Sequence, residues 1–390
     1  MIDIFSNYNL QREELLARIA HELELDKKRI ARMESAYQAV QDVLKKNDPF
    51  FDDIEIELYA QGSKRIGTTV KPINGNDFDL DTVMHVYSLY LNYTPTKIYN
   101  SLVNALEQDE YYKSILEKKD RCVRLDYKGD FHMDILPACM AELGDYEKVA
   151  IPEHKLSNWS FGNPKGFAKW FLSIAKTSEN VLLKAYREDL IKANIESEPL
   201  PDEDLYSKTP LQRAVQLVKR YRDIYYTRRD YPVSSIVITT LMGRYYEREG
   251  SIFDTINNYL GKIINEYNRA RISGSKFKVL NPVNTEEDFT DSWTNENYDS
   301  FYKFIEDFYK KWNSIREDFN SSGTDFIELF GEGIYKKSLQ EQVTSLSKFS
   351  TNDSAKKAAA IISGTALTDK SGRINTERGV KNEPHRNFGA

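Results

Sequence analysis

Apolar residues near the start of the chain recur every three or four positions: Ile30, Met33, Tyr37, Val40 and Leu44 form one stripe, the period of a helix with a single buried face. The pattern predicts one long helix over residues 1–48, stopped at Asn47-Asp48-Pro49, because proline has no N–H and disfavours helix in the residue before it. The period then changes to two. Ile54, Ile56 and Leu58 alternate with Asp53, Glu55 and Glu57, which predicts a half-buried strand ending at Gln61-Gly62-Ser63. After the turn-like Asn74-Gly75-Asn76, Phe78, Leu80, Thr82 and Met84 alternate with Asp77, Asp79 and Asp81, so a second strand carries its carboxylates on one face. A helical stretch from about Thr96 to Lys118 leads to two alternating runs between Cys122 and Ile135, which flank Lys128-Gly129-Asp130 as hairpin arms flank their turn. With Gly129 at that turn, Arg124 falls opposite Asp134 on the same face.

Beyond Asn163-Pro164 the pattern becomes helical, with Phe167, Trp170, Phe171 and Ile174 on one stripe, Pro199-Leu200-Pro201 as a link, and Thr209-Pro210 as N-cap and first turn of a further helix. The expected fold class is α+β: a small mixed or antiparallel sheet with helices over 49–155, then a helical domain over 156–350. The last segment, 351–390, holds Phe388 as its one aromatic in a chain with 25 Tyr, 19 Phe and 4 Trp, which is the composition of a flexible tail.

Composition narrows the function classes. With 390 residues, 40% apolar and 29% charged, the chain can bury at least one sizeable core. Its 54 Lys and Arg against 60 Asp and Glu give a net charge of -6, which argues against a protein that coats duplex nucleic acid and requires local positive groups for any anionic substrate. Two cysteines and five scattered histidines exclude a disulfide framework or a Cys-rich zinc site. No apolar run approaches the roughly 20 residues of a membrane span, and Asp3 precedes any apolar run, so neither span nor signal peptide is expected and the expected location is the cytoplasm.

The candidate chemistry lies in the sheet. Period two sets Asp79 and Asp81 side by side, and Asp134, in Phe131-His132-Met133-Asp134-Ile135, supplies a third carboxylate from another strand. Three such oxygens can cage two divalent cations roughly 3.5–4 Å apart, which activate an attacking hydroxyl and neutralise a pyrophosphate leaving group. Phe78, Leu80, Met133 and Ile135 would hold the carboxylates rigid, and the turn at Ser63 offers N–H groups to phosphate. Each part alone is weak, since glycine-serine turns end many strands and half-exposed strands often alternate Asp with apolar residues. Their order and spacing carry the reading. Lys219, beside the stripe Leu211, Val215 and Val218, can reach a cleft between the two halves, and Ser235 stands at a helix start where Ser234 could equally be the N-cap.

Tyr59-Ala60-Gln61-Gly62-Ser63-Lys64-Arg65-Ile66-Gly67-Thr68, Asp77-Phe78-Asp79-Leu80-Asp81 and Phe131-His132-Met133-Asp134-Ile135-Leu136-Pro137-Ala138 together resemble the core of bacterial cGAS/DncV-like nucleotidyltransferases. The resemblance continues through Leu211-Gln212-Arg213-Ala214-Val215, Lys219-Arg220-Tyr221-Arg222-Asp223, Ser234-Ser235-Ile236 and Asn281-Pro282 with Trp293, and spans roughly residues 50 to 300. It implies a bilobal protein with a polymerase-β-like nucleotidyltransferase core and a C-terminal helical domain. It further implies an enzyme that joins nucleoside triphosphates, ATP with the same or another one, into a cyclic di- or trinucleotide messenger for antiphage defence. Asp79 and Asp81 would bind two Mg²⁺ (or Mn²⁺), Asp134 the one at the acceptor, with Asp77 in support; Gln61, Gly62 and Ser63 would hold the donor triphosphate, and Arg124, Lys219 and Ser235 would contact nucleotide. The zinc-binding insertion of the animal synthase is absent, so zinc-dependent DNA sensing is not expected. Relatives are joined through their C-terminus to other molecules by a partner resembling ubiquitin-activating and conjugating enzymes, which makes Phe388-Gly389-Ala390 a candidate attachment end. A transferase with a linear product would share the same three aspartates; a silent nucleotide-binding scaffold would have no reason to keep all three.

Overall fold

In the computed structural model the described residues are 8–51, 53–73, 77–153, 156–176, 180–184, 205, 207–319 and 321–349, with 367–368, 374–375 and 380–381 beyond them. The one long helix expected over 1–48 is broken within its described residues, 8–48. Two helices, α1 (Tyr8–Glu22) and α2 (Lys27–Asn47), meet at a break where the Asp26 carboxylate accepts from the Arg29 N–H at 2.9 Å and caps α2. The break has a packing cause. Leu23 belongs to the core of the helical lobe and Leu25 to the core under the sheet, so one straight helix could not bury both.

The sheet has seven strands: β1 (Ile56–Ala60), β2 (Phe78–Leu89), β3 (Leu116–Lys118), β4 (Val123–Tyr127), β5 (Phe131–Met140), β6 (Val149–Pro152) and β7 (Trp159–Gly162). The main order is β1-β2-β5-β4-β3, with β6 paired to β5 and β7 to β6. Strands β2 and β5 run parallel and the other pairs antiparallel. The one-turn helix α3 (Gly62–Arg65) lies between β1 and β2, and α4 (Pro95–Glu107) with α5 (Glu110–Ile115) carries the chain from β2 to β3. The expected helix over 96–118 therefore splits: Asp109 accepts from the N–H groups of Tyr111 and Tyr112 and starts α5, and residues 116–118 go to the sheet edge instead. The sheet also extends past the expected boundary at 155, because β7 pairs with β6 and Trp159 packs edge-on against Tyr90, with ring centroids 5.8 Å apart.

One sheet face is apolar. Phe78, Leu80, Met84 and Val86 of β2 and Phe131, Met133 and Ile135 of β5 pack with Met33, Val40 and Leu44 of α2 and Ile98 and Leu102 of α4. The alternate residues, including Asp79, Asp81 and Asp134, face the other way, where the helical lobe stands. That lobe consists of α6 (Pro164–Ala175), α7 (Pro210–Tyr225), α8 (Ser235–Tyr245), α9 (Ile252–Ser273), α10 (Asn295–Glu317), α11 (Gly323–Phe330) and α12 (Glu332–Phe349) with α1, around a core that includes Phe171, Val215, Leu241, Phe301 and Trp312. Asn163 caps α6, and Thr209 with Gln212 forms a capping box at α7, as the two X-Pro signals predict. A short ribbon, β8 (Leu280–Asn281) with β9 (Asn284–Asp288), crosses the surface between α9 and α10 in sequence.

Within the expected flexible tail, β10 (Leu367–Thr368), β11 (Ile374–Asn375) and β12 (Val380–Lys381) pair into a small antiparallel sheet. The link at Pro199-Leu200-Pro201 and the end at Phe388-Gly389-Ala390 lie outside the described residues. No helix among the described residues is long and apolar enough to cross a membrane.

Candidate active site

A cleft of about 920 Å³ opens between the polar face of the sheet and the helical lobe, within the range of small-ligand sites. Seven of the nine sequence-predicted residues line it: Gly62, Ser63, Asp79, Asp81, Asp134, Lys219 and Ser235. The other two stand just behind. The Gln61 N–H donates to the Asp81 carbonyl at 2.9 Å, pinning the start of α3 to β2, and Arg124 reaches the cleft through the carboxylates it holds.

Strand register makes the acidic cluster. The parallel β2–β5 pairing sets Asp81 beside Asp134, and the antiparallel β4–β5 pairing sets Arg124 beside Asp134, as the Gly129 turn requires. The guanidinium forks onto Asp134, with Nε to Oδ1 at 2.7 Å and Nη2 to Oδ2 at 2.8 Å, and Nη2 also meets Asp79 Oδ1 at 3.2 Å. These contacts push the Arg124 pKa further up. One cation does not balance three carboxylates. Burial, then the charges of Asp134 and Asp79, push the Asp81 pKa up to about 6, so its ionised form is under-compensated. An all-oxygen donor set with surplus negative charge suits hard divalent cations such as Mg²⁺ or Mn²⁺.

Gly62 earns its position by sterics. Its φ is +57°, and a Cβ there would lie 2.9 Å from Asp81 Oδ2, so the turn can approach the carboxylate only without a side chain. Ser63 Oγ accepts from Thr69 Oγ1 at 3.3 Å.

Asp77 lines the same cleft but is drawn toward the hairpin turn: the Gly129 N–H reaches its Oδ2 at 3.3 Å, and His132 Nε2 lies 3.8 Å from that oxygen while His132 Nδ1 lies 3.2 Å from Asp126 Oδ1. Among the described residues, Asp77, Asp126 and His132 are the set whose ligand atoms all close to within 4.8 Å; in the aspartate triad Arg124 bridges Asp79 and Asp134.

The opposite wall comes from α7, whose residues at helical spacing grip the loop after α3. Gln212 Nε2 donates to the Ile66 carbonyl at 2.8 Å and Gln216 Nε2 to the Thr69 carbonyl at 3.0 Å, while Lys219 Nζ donates to Thr68 Oγ1 at 3.1 Å. Lys219 is buried, and burial, with Arg222 nearby, pushes its pKa down to about 7 against the pull of Asp223 and Asp81. The Ser235 hydroxyl accepts from Arg222, which also pairs with Asp223; Ser234 is the N-cap and Ser235 the first helical residue. Sequence reasoning missed Thr68, Arg222 and Asp223 as cleft residues. The available signal was helical spacing, since Arg222 lies three residues from Lys219 and so shares its face.

Known proteins are similar to this chain in sequence and in fold. Residues 11–174 match the Second Messenger Oligonucleotide or Dinucleotide Synthetase domain. Over 350 residues, 88% of this chain and 91% of the relative, the sequence is 36% identical to a c-di-GMP synthase of Roseivirga ehrenbergii. It is 26% identical over 293 residues, 72% of this chain and 69% of the relative, to the cyclic dinucleotide synthase CdnG of Bradyrhizobium diazoefficiens. The fold is similar to the solved structure of that organism's CD-NTase CdnG in complex with GTP, with a TM-score of 0.68 and 22% identity over 84% of this chain and 98% of the other. It is also similar to E. coli MS115-1 CdnC with ATP, at a TM-score of 0.60 and 13% identity over 83% and 98% of the two chains. At these identities the likeness to solved structures is one of fold.

Proposed function

This chain belongs to the cGAS/DncV-like nucleotidyltransferases, and from that premise we propose that it joins two molecules of GTP into cyclic di-GMP at the cleft bearing Asp79, Asp81 and Asp134. It is a nucleotidyltransferase that makes a cyclic dinucleotide from nucleoside triphosphates. The choice of guanine, in place of the ATP expected from the sequence, is supported by the Roseivirga relative's name and by the GTP bound to the solved CdnG. The observation that carries the site assignment is the strand register that sets Asp81 beside Asp134, with Asp79, in one cleft with the buried Lys219.

Asp79 and Asp81 are assigned to both Mg²⁺ ions and Asp134 to the one at the acceptor hydroxyl. Two such ions, when bound, neutralise the departing pyrophosphate and lower the pKa of the attacking hydroxyl. The chain's own residues supply the rest. Arg124 forks onto Asp134 and fixes its carboxylate in place, from where an Asp134 oxygen would accept the acceptor's proton. Lys219 exchanges the Thr68 hydroxyl for a phosphate oxygen, and the triphosphate's charge raises its proton affinity back toward the ordinary range. Ser63 and the Gly62 turn stand beside the same carboxylates and would position the donor phosphates. The cleft volume accommodates a donor and an acceptor together, which successive transfers need. Extension of the 36% identity over 88% of the chain, helical lobe included, favours the cyclase over a transferase with a linear product. We further propose the cytoplasmic location expected from the sequence and, from the family resemblance, a role in antiphage signalling and attachment through Gly389-Ala390.

The test is synthesis from GTP with Mg²⁺ by Asp79→Asn, Asp81→Asn and the double variant. Each single change should remove most of the rate and the double should be hardly worse, since ligands of one metal unit are not additive. A double variant that works at near wild-type rate would place the chemistry elsewhere.

A further inference from the structure

Helices α6 and α8 each turn two faces to two different cavities. Phe167 of α6 and Ser235 and Thr239 of α8 line the catalytic cleft, whereas Trp170 and Ile174 of α6 and Thr240, Gly243 and Arg244 of α8 line a second cavity of about 660 Å³. Its wall also includes Leu280, Asn281 and Pro282 of the β8–β9 ribbon, the Asn281-Pro282 segment that the catalytic reading leaves unused, with Thr285 and Arg248. Trp170 is set tightly: a Cβ on Gly243 would lie 2.5 Å from its Cη2, so the indole rests on the α8 backbone.

The lining chemistry points to a ligand. Among the described residues it contains two arginines and no carboxylate. Arg244 Nη2 donates to the Leu280 carbonyl at 3.2 Å, and among the described residues neither Arg244 nor Arg248 pairs with an acid. Arg248 is held at φ 68°, a left-handed conformation that costs a non-glycine residue free energy and is concentrated at ligand clamps. Thr240, a lining residue, is fully buried, and among the described residues its hydroxyl has no partner.

We propose that this cavity is a second nucleotide site, which seats a base against Trp170 and its phosphate on Arg244 and Arg248. An indole face takes any planar base, and exposed guanidiniums match phosphate oxygens better than any other side chain. Because α8 also carries Ser235 and Thr239, occupancy is felt at the catalytic cleft through a shared rigid helix. The nucleotide comes either from the substrate pool or from the cyclic product, and the experiment separates the two.

Equilibrium dialysis of the full chain with radiolabelled guanosine 5′-(α,β-methylene)triphosphate, which cannot release pyrophosphate, and separately with radiolabelled cyclic di-GMP, gives the equivalents bound. Arg248→Asn removes the guanidinium while tolerating the left-handed backbone, and Thr285→Trp fills the cavity from its exposed rim. Both variants should bind one equivalent fewer than wild type of the probe the cavity takes, or bind it at least tenfold more weakly, with melting temperature unchanged. Loss confined to the triphosphate identifies a substrate site, and loss confined to cyclic di-GMP a product site. Unchanged stoichiometry and affinity for both probes in both variants would overturn the proposal.

Discussion

Replacing Lys219 with methionine should strengthen the ligand-free fold while abolishing its grip on triphosphate. Burial takes the ammonium from 10.5 to about 7, and each tenfold change in proton affinity is worth about 1.4 kcal/mol. The unfolded chain therefore binds more protons than the folded one between pH 7 and 10.5, and wild-type stability rises with pH across that window; the penalty is full below pH 7 and gone above 10.5. At pH 7.5 the buried lysine costs about 4 kcal/mol, and at pH 9.5 about 1.4 kcal/mol. Methionine removes that cost but strands the Thr68 hydroxyl, worth about 1–3 kcal/mol, so the net gain at pH 7.5 is about 1–3 kcal/mol. The constant Thr68 loss cancels in a comparison across pH. Urea unfolding in EDTA, wild type against Lys219→Met, should show the variant's advantage shrinking by about 2–3 kcal/mol from pH 7.5 to 9.5, above the titration of Asp81 near 6. An advantage that does not change with pH would mean that Lys219 keeps an ordinary proton affinity, and the account of a desolvated lysine awaiting phosphate would fail.

Arg124→Met should lower the rate at neutral pH at least tenfold, because Asp134 and Asp79 lose the guanidinium that fixes their positions; an unchanged rate would remove Arg124 from that role. Glu13, fully buried, accepts from the Ser251 hydroxyl at 3.0 Å and the Phe253 N–H at 3.1 Å, and burial pushes its pKa from 4.5 up to about 7. The folded state then binds more protons than the unfolded between those values, so stability falls as pH rises from 4.5 to 7 and is level above; Glu13→Gln should gain on wild type by about 3 kcal/mol between pH 4.5 and 7.5 in urea unfolding, and a constant difference would refute this.

The sheet was legible because its alternation is strict: Phe78, Leu80, Met133 and Ile135 bury on one side and Asp79, Asp81 and Asp134 emerge on the other. The hairpin register followed from Gly129, whose φ of +78° suits the turn. The N-terminal break was hidden, since α1 and α2 keep one apolar period and only the three-dimensional separation of the cores of Leu23 and Leu25 divides them. Residues 116–118 were lost to the sheet for a similar reason, as pairing with β4 outweighs local helical preference. At the site, the carboxylates came from period and spacing, but Arg222 and Asp223 did not. Their place depends on how α7 docks against the loop after α3 through Gln212, Gln216 and Lys219, a long-range fit with no local signature.

The central claim is that one cleft, with Asp79, Asp81 and Asp134 on its floor, closes a dinucleotide ring from GTP. Purified protein incubated with [α-³²P]GTP and Mg²⁺ and then treated with phosphatase tests it most directly. The account predicts a phosphatase-resistant product that comigrates with cyclic di-GMP, accompanied by two pyrophosphates per ring and absent from Asp79→Asn/Asp81→Asn. Label released entirely by phosphatase, or a resistant product made equally well by that double variant, would contradict it.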